Sequence, residues 1–505
     1  MLLHSHFEET CRRLPHKLAL VCGEQRLSYG ELAERVEGLA ATLQQRGVRR
    51  GDRVALYLDS SIDFAVAVHA VLRIGGVFMP ISSLTKREKL AYMLNDTRAS
   101  ALLTQQRLAD AWRHAVDASP SVHTCVVRDP AAGDGDGVVA WPEGRAGDVA
   151  PTPLIDQDLA AIIYTSGTTG LPKGVMLSHL NMCSAWRSVQ SYLGLREDDV
   201  IGLALSPAFS YGLYHVLMGL GLGATVVLER AASFPVKVME GLVRERVSVF
   251  PGLPTLFSSL LGLSNLSAYD LSAVRIVTNA AAALPDELSR RLREALPNAR
   301  LYSMYGMTEC KRISYLPPEE LAHRPTSVGR GMANQEYWLV DEQGQRLPNG
   351  SVGQLVVRGS HVMRGYWEKP EETAERLKPG PTPGERVLYT GDIFRTDDEG
   401  WLYFVARGDD IIKSRGEKVA PREVENAIYA IEGVVDCAVI GVPDELLGQA
   451  VKAFVTVKPG CALTEREIIR HCLATLENYM APKSVSFVAE LPRTDSGKIR
   501  KVDLR

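Results

Sequence analysis

Tyr164-Thr165-Ser166-Gly167-Thr168-Thr169-Gly170-Leu171-Pro172-Lys173-Gly174-Val175 decides the reading of this 505-residue chain. The apolar run Leu159 to Tyr164 reads as a buried strand, and it feeds a loop of hydroxyls and glycines with one lysine. Glycines let backbone N–H groups turn inward and approach a ligand closely. Ser and Thr hydroxyls donate to phosphate oxygens, and Lys173 adds a compact positive charge. Strand, loop and lysine together form a cradle for polyphosphate, with Thr165, Ser166, Gly167, Thr168, Thr169, Gly170 and Lys173 as its contacts. It is not the common nucleoside-triphosphate P-loop, because no G-x-x-x-x-G-K-[ST] spacing is present.

Around this loop, helix-like and strand-like segments alternate. Ser28, followed three residues on by Glu31, predicts a capping box and a helix start. Arg53 to Leu58 predicts a strand, Ile62 to Ile74 a helix, and Gly76 to Pro80 another strand. This rhythm argues for an α/β fold with mainly parallel sheets. The Gly/Asp/Ala-rich stretch Asp129 to Pro153 reads as a loose surface connection. Trp338 to Val340 and Gly353 to Val357 read as strands joined through Pro348-Asn349-Gly350, a β-rich subdomain. Near the C-terminus Arg422 to Ile431 reads as a helix opened by Pro421, Val434 to Val442 as a strand, and Thr464 to Leu476 as a helix with Glu467 in its capping box. The expected division is a large N-terminal α/β region, residues 1–405, and a small α+β C-terminal domain, residues 406–505. The length itself calls for two or more domains.

Composition narrows the function. Hydrophobic residues make up 46% and charged residues 23% of a chain with a formal net charge of −3, so nucleic acid is not an expected partner. The longest apolar candidate, Val216 to Leu228, holds three glycines and reads as a helix end followed by a strand, not a membrane span. The first residues lack the basic and apolar regions of a signal peptide. Eight scattered cysteines form no CxxC pair and no zinc spacing, which predicts reduced, buried thiols and a cytoplasmic setting. Cys310, directly after Glu309, is not needed as a nucleophile.

Four more strings follow in order: Tyr305-Gly306-Met307-Thr308-Glu309, Tyr389-Thr390-Gly391-Asp392, Arg407 through Glu425, and Pro492 through Lys498. With the Tyr164 string they resemble the adenylate-forming superfamily of acyl-CoA synthetases, peptide-synthetase adenylation domains and firefly luciferase. The resemblance implies a reaction in two halves. A carboxylate attacks the α-phosphorus of ATP to give an acyl-adenylate and pyrophosphate; a thiol then takes the acyl group and expels AMP. It implies that Lys498 bridges carboxylate and α-phosphate, that Glu309 holds Mg²⁺, and that Thr308 donates to phosphate. A hard cation is the physical reason to place a carboxylate near triphosphate. Tyr305 is expected against adenine, Asp392 on the ribose hydroxyls, and Arg407 on ribose or phosphate, here preceded by Ala406 where the family often has glycine. Asp409 matches the family's hinge, about which the small domain rotates between half-reactions. The opposite face of that domain, Lys413 to Val419, is expected to receive the thiol arm, with Gly416, Glu417 and Lys418 beside it.

The acid pocket is expected from Phe209, Ser210, Tyr211, Gly212, the stretch Phe250 to Pro254, and Asn279, Ala280 and Ala281. In peptide-synthetase domains an Asp at the position of Ser210 pairs with the substrate's amino group. A buried ammonium without a carboxylate is costly, so an α-amino acid is disfavoured and an uncharged fatty or aromatic acid favoured. Lys311 and Arg312 are expected in solvent or facing phosphate, with a diacid substrate left open. The acceptor is CoA or the phosphopantetheine of a carrier protein. The short segment Leu316 to Gly329 disfavours a fatty acyl-AMP ligase, and no carrier domain follows Lys498, so a stand-alone ligase is expected.

Overall fold

Two large sheets, both mainly parallel, form the body of the protein. The computed structural model describes residues 2–504 apart from 133, 136, 145–146, 166–170, 230–233, 281–283, 409, 415–416, 445–446 and 495–497, with backbone alone for Lys413, Lys418 and Gly448. In the first sheet Arg53–Leu58, Val77–Ser82, Ala101–Gln105, Thr124–Arg128, Val138–Ala140 and Leu159–Thr165 run parallel. Lys173–Ser178 and Gly365–Tyr366 extend it antiparallel. The second sheet has a parallel centre of Leu18–Cys22, Thr225–Leu228, Val200–Leu203, Val249–Gly252, Ile276–Asn279 and Arg300–Tyr305. Strands such as Val249–Gly252 and Ile276–Asn279 are buried along their whole length, which is why their sequences run apolar and small without alternation.

One apolar core joins both sheets. It takes Val54, Leu56 and Ile163 from the first, Leu20, Ile201 and Val226 from the second, Leu3, Phe7 and Cys11 from the first helix, Leu3–Arg13, and residues of four later helices. These helices are Tyr29–Gln45, Ile62–Arg73, His179–Leu193 and Ser210–Leu222. A third, antiparallel sheet contains Gln335–Val340, Val352–Gly359, Leu377–Pro379, Arg386–Thr396 and Leu402–Arg407. The last hundred residues fold around a separate core of Val424, Ile428, Val439, Val451, Ile468 and Cys472. Their sheet pairs Val434–Asp444, Gly448–Val457, Ile412–Ser414, Glu417–Val419 and Ser484–Phe487.

The α/β class and its mainly parallel sheets are as read from the sequence. Both capping boxes form, at Ser28 with Glu31 and at Thr464 with Glu467. Val216 to Leu228 is a helix end and a strand, and no helix among the described residues is long and apolar enough to cross a membrane. Asp129 to Pro153 differs from expectation. Val138–Ala140 pairs with Thr124–Arg128, and Trp141 is buried with Arg128 over its ring at 5.3 Å. Backbone pairing and one anchored aromatic order this edge without an apolar pattern.

Candidate active site

The strand pair that carries the phosphate loop is in register from Leu159↔Ser178 to Thr165↔Lys173. Ser166, Gly167, Thr168, Thr169 and Gly170 lie outside the described residues. Lys173 stands at the far root of the loop, with its ammonium 5.5 Å from the centre of the Tyr366 ring. Tyr366 is delivered by backbone pairing with Val175, and its hydroxyl donates to Glu309 Oε1 at 2.8 Å. One aromatic residue therefore joins the lysine to the carboxylate.

Glu309 hangs on a hairpin that runs from Tyr305 to Ser314. Gly306 makes the fold-back possible: a Cβ there would stand 2.4 Å from the Lys311 carbonyl oxygen and 2.8 Å from Arg312 Cα. Lys311 itself takes a left-handed φ of 58°, uncommon for a residue with a Cβ. The hairpin buries Glu309 and leaves Thr308 partly exposed beside it. No hydrogen bond reaches Glu309 Oε2 among the described residues, so that oxygen is available to a hard cation that draws its other ligands from phosphate.

Tyr305 donates its hydroxyl to Asp392 Oδ2 at 2.5 Å. Asp392 and Arg407 are direct partners in antiparallel strands, with Nε and Oδ1 3.7 Å apart. Burial raises the Asp392 pKa above its ordinary value, while Arg407 and the Tyr305 hydroxyl oppose the shift. Burial, followed by the nearby Asp392 charge, pushes the Tyr305 phenol well above its usual range. Lys498 approaches from the C-terminal domain on a tight turn: its N–H donates to Thr494 Oγ1 at 3.1 Å, and the Thr494 N–H donates to its carbonyl at 2.7 Å. As a residue Lys498 is exposed, but its ammonium is crowded by protein at the cleft. That crowding lowers its pKa, Arg407 adds to the effect, and Asp392 and Glu309 counter it. Lys498, Glu309, Asp392 and Arg407, scattered along the sequence, thus act on one another in one cleft.

The predicted acid-pocket segments also converge. Tyr211, 8% exposed, bonds through its hydroxyl to the Thr278 carbonyl at 2.9 Å and to Thr278 Oγ1 at 2.7 Å, beside buried Asn279 and Ala280. The Gly252 backbone also faces that hydroxyl. Phe209 and Ser210 open the Ser210–Leu222 helix and are partly exposed. Gly212 is obligatory, since a Cβ would meet the Ser206 carbonyl oxygen at 2.5 Å. Ala281 lies outside the described residues.

Lys311 and Arg312 are not in solvent. They are 4% and 3% exposed, because the fold-back at Gly306 turns them inward against the Ser210–Leu222 helix. Lys311 Nζ donates to the Ser210 carbonyl at 2.8 Å and stands 4.3 Å from the centre of the Tyr214 ring. The Arg312 guanidinium lies 5.2 Å from the centre of the Tyr211 ring. Cys310 is fully buried, and burial with the Glu309 charge raises its thiol far above the reactive range.

The expected thiol face stands apart. Glu417 is exposed, and its charge is felt by Tyr479 along with those of Glu477 and Glu423. Asp409 and Gly416 lie outside the described residues, and Lys418 is described by its backbone alone. Tyr366 was not identified from the sequence. It sits in a two-residue strand with no periodic pattern, and only its place in His361-Val362-Met363-Arg364-Gly365-Tyr366-Trp367 could have marked it.

Known proteins match this arrangement over its whole length. Feruloyl-CoA synthase from Amycolatopsis sp is 33% identical over 98% of this chain and 96% of its own length. Long-chain-fatty-acid–CoA ligase from Bacillus subtilis (strain 168) is 30% identical over 98% of this chain and 93% of its own. Of tyrocidine synthase 2 from Brevibacillus parabrevis, 31% identical over 98% of this chain, the chain spans 13% of the length. Among solved structures, the anthranilate CoA ligase AuaEII in complex with anthranoyl-AMP superposes with a TM-score of 0.91 at 27% identity, covering 100% of this chain and 96% of that one. The model of the AMP-binding enzyme C-terminal domain matches residues 423–498, the part that brings Lys498 to the cleft. With the model of the AMP-binding enzyme matching residues 7–367, from the first helix to the strand that presents Tyr366, the chain belongs to the AMP-binding enzyme family.

Proposed function

We propose that this protein is an ATP-dependent, AMP-forming acid–thiol ligase that converts a carboxylic acid to its acyl-adenylate and transfers the acyl group to the thiol of CoA. The observation that carries the reading is the meeting of Lys498 with Glu309, Asp392 and Arg407 in one cleft. Adenylation brings two anions together, so its catalysis is mainly positioning and charge stabilisation. Lys498 is the group that steadies the incoming carboxylate and the α-phosphate. Lys173, Thr308 and the loop 165–170 hold the polyphosphate. Asp392 accepts from the ribose hydroxyls, with Arg407 beside it, and Tyr305 flanks the base. Glu309 would hold Mg²⁺, which would neutralise phosphate charge.

The division into 1–405 and 406–505, with a hinge at Asp409, belongs to the same reading. It is supported by the separate core of the last hundred residues. Gly416, Glu417 and Lys418 then guide the thiol arm after rotation. Relatives that act on feruloyl and long-chain acids favour an aromatic or fatty skeleton for the acid. Similarity to a segment of tyrocidine synthase 2 supports a second reading, transfer to the phosphopantetheine of a carrier protein. A cytoplasmic location fits eight free cysteines, most of them buried.

The test is acid-dependent ATP–pyrophosphate exchange over fatty, aryl and amino acids, followed by thioester formation with CoA or with a phosphopantetheinylated carrier protein. Exchange that needs both an acid and Lys498 supports the ligase. Absence of exchange with every acid, while ATP still binds, refutes it.

A further inference from the structure

Beside the predicted acid-pocket segments a positive charge is buried with no acidic partner among the described residues. Arg312 is 3% exposed, and a guanidinium does not lose its proton in a protein. Among the described residues its Nε has no hydrogen-bond partner, and no Asp or Glu forms an ion pair with Arg312 or with Lys311. Among the described residues its charge acts on Tyr192, Tyr211, His215, Cys310 and Lys311, none of them ionised as an acid at neutral pH. Burying an unpaired charge is expensive, so a fold that keeps one reserves it for a ligand anion. Phosphate is not that anion by position. Arg312 lies over Tyr211, whose hydroxyl is held by Thr278 and faced by the Gly252 backbone, so it stands where the acid-pocket segments converge. Lys311, bonded to the Ser210 carbonyl, brings a second amino group to the same place.

We propose that the acid substrate carries a second carboxylate, received by Arg312 with Lys311 beside it, so that the enzyme adenylates one end of a fatty or aromatic diacid. This rests on the ligase reading above. The reacting carboxylate attacks the α-phosphorus, the bond to the bridging oxygen of pyrophosphate breaks, and pyrophosphate leaves with those electrons. The second carboxylate takes no part and fixes the register of the skeleton. A monoacid of the same length leaves Arg312 buried and unpaired, and sites built for a polar group discriminate strongly against analogues that lack it.

The experiment compares matched pairs in ATP–pyrophosphate exchange: benzoate with isophthalate and terephthalate, hexanoate with adipate, and dodecanoate with dodecanedioate. At least one diacid is expected to exceed its monoacid partner by ~10²-fold or more in kcat/KM. Arg312→Met should remove that preference, lowering diacid kcat/KM far more than monoacid kcat/KM. Arg312→Lys should restore part of it. If Arg312→Met does not fold, diacid-specific thermal stabilisation of the wild-type protein, absent for the paired monoacid, gives the same answer. Monoacids used as well as or better than every diacid would overturn the proposal and leave the ligase reading intact. No exchange in either arm, with ATP bound, would overturn both.

Discussion

Two ends of the cleft hang from the single hairpin Tyr305 to Ser314, and they are wired differently. At the nucleotide end, charges and hydroxyls are matched within the protein. Tyr305 donates to Asp392, Arg407 stands across from it, and Tyr366 donates to Glu309. At the proposed acid end, Lys311 and Arg312 are buried against tyrosine rings with no carboxylate paired to them among the described residues. The nucleotide is common to every acid such a ligase could use, so its site can be completed in advance. The acid is what varies, and in the proposal above its site is completed by the ligand. Pre-organisation is thus concentrated where the partner is constant.

The largest expected effect separates catalysis from binding. Lys498→Ala should lower the kcat of acid-dependent exchange by about 10²–10³-fold, the usual loss for a charge-stabilising group. Thioester formation from supplied acyl-adenylate should persist. Equal loss in both assays would break the assignment of Lys498 to the first half-reaction.

Next comes Asp392→Asn, which weakens two bonds to a charged acceptor and should raise KM for ATP by roughly 10–100-fold. Its stability should move the other way. Burial raises the folded pKa of Asp392 above its ordinary 3.8, so the stability it contributes is present below 3.8 and lost as pH rises through the folded value. The asparagine variant should therefore melt higher than wild type near neutral pH, with the gap closing toward pH 3.8. A melting temperature insensitive to this change would mean the pairing with Arg407 and Tyr305 fully offsets burial.

Gly306→Ala should act on both ends at once. Its Cβ would press on the Lys311 carbonyl at 2.4 Å, an overpacking that costs about 1–3 kcal/mol. ATP affinity and acid use should fall together, measured by calorimetric titration and by exchange. Loss at one end alone would show that the hairpin does not couple them.

The smallest effect is at the acid end. Burial, with Arg312 next, holds the Lys311 pKa well below its ordinary 10.5. For a base shifted down, stability is present above 10.5 and lost as pH falls through the folded value. Lys311→Met should therefore raise the melting temperature by roughly 1–2 °C at neutral pH, with the gain shrinking as pH climbs toward 10.5.

These two ends were not equally legible. Lys173, Glu309, Asp392 and Lys498 stand in strings whose residue types suit phosphate, ribose and metal chemistry, so they could be singled out before any fold was known, and the structure brings the last three together. The parallel sheets could be read too, because strands buried on both faces advertise themselves as unbroken apolar runs. Lys311 and Arg312 could not. Two adjacent cations normally mean a solvated turn, and their burial follows from a left-handed residue and a glycine pressed against a carbonyl, neither of which has a periodic signature. Val138–Ala140 was missed for a related reason: an edge strand held by backbone pairing needs no apolar alternation.

Tyr366 has a role beyond linking two residues. Lys173 and Glu309 are opposite charges that, in the proposed function, act on the same phosphates, and direct pairing would quench both. The Tyr366 ring lies against the ammonium while its hydroxyl occupies one oxygen of the carboxylate, and its backbone is clamped to Val175. It works as an insulator. It holds the lysine and the carboxylate on either side of one side chain, so that both are kept in place without contact between them.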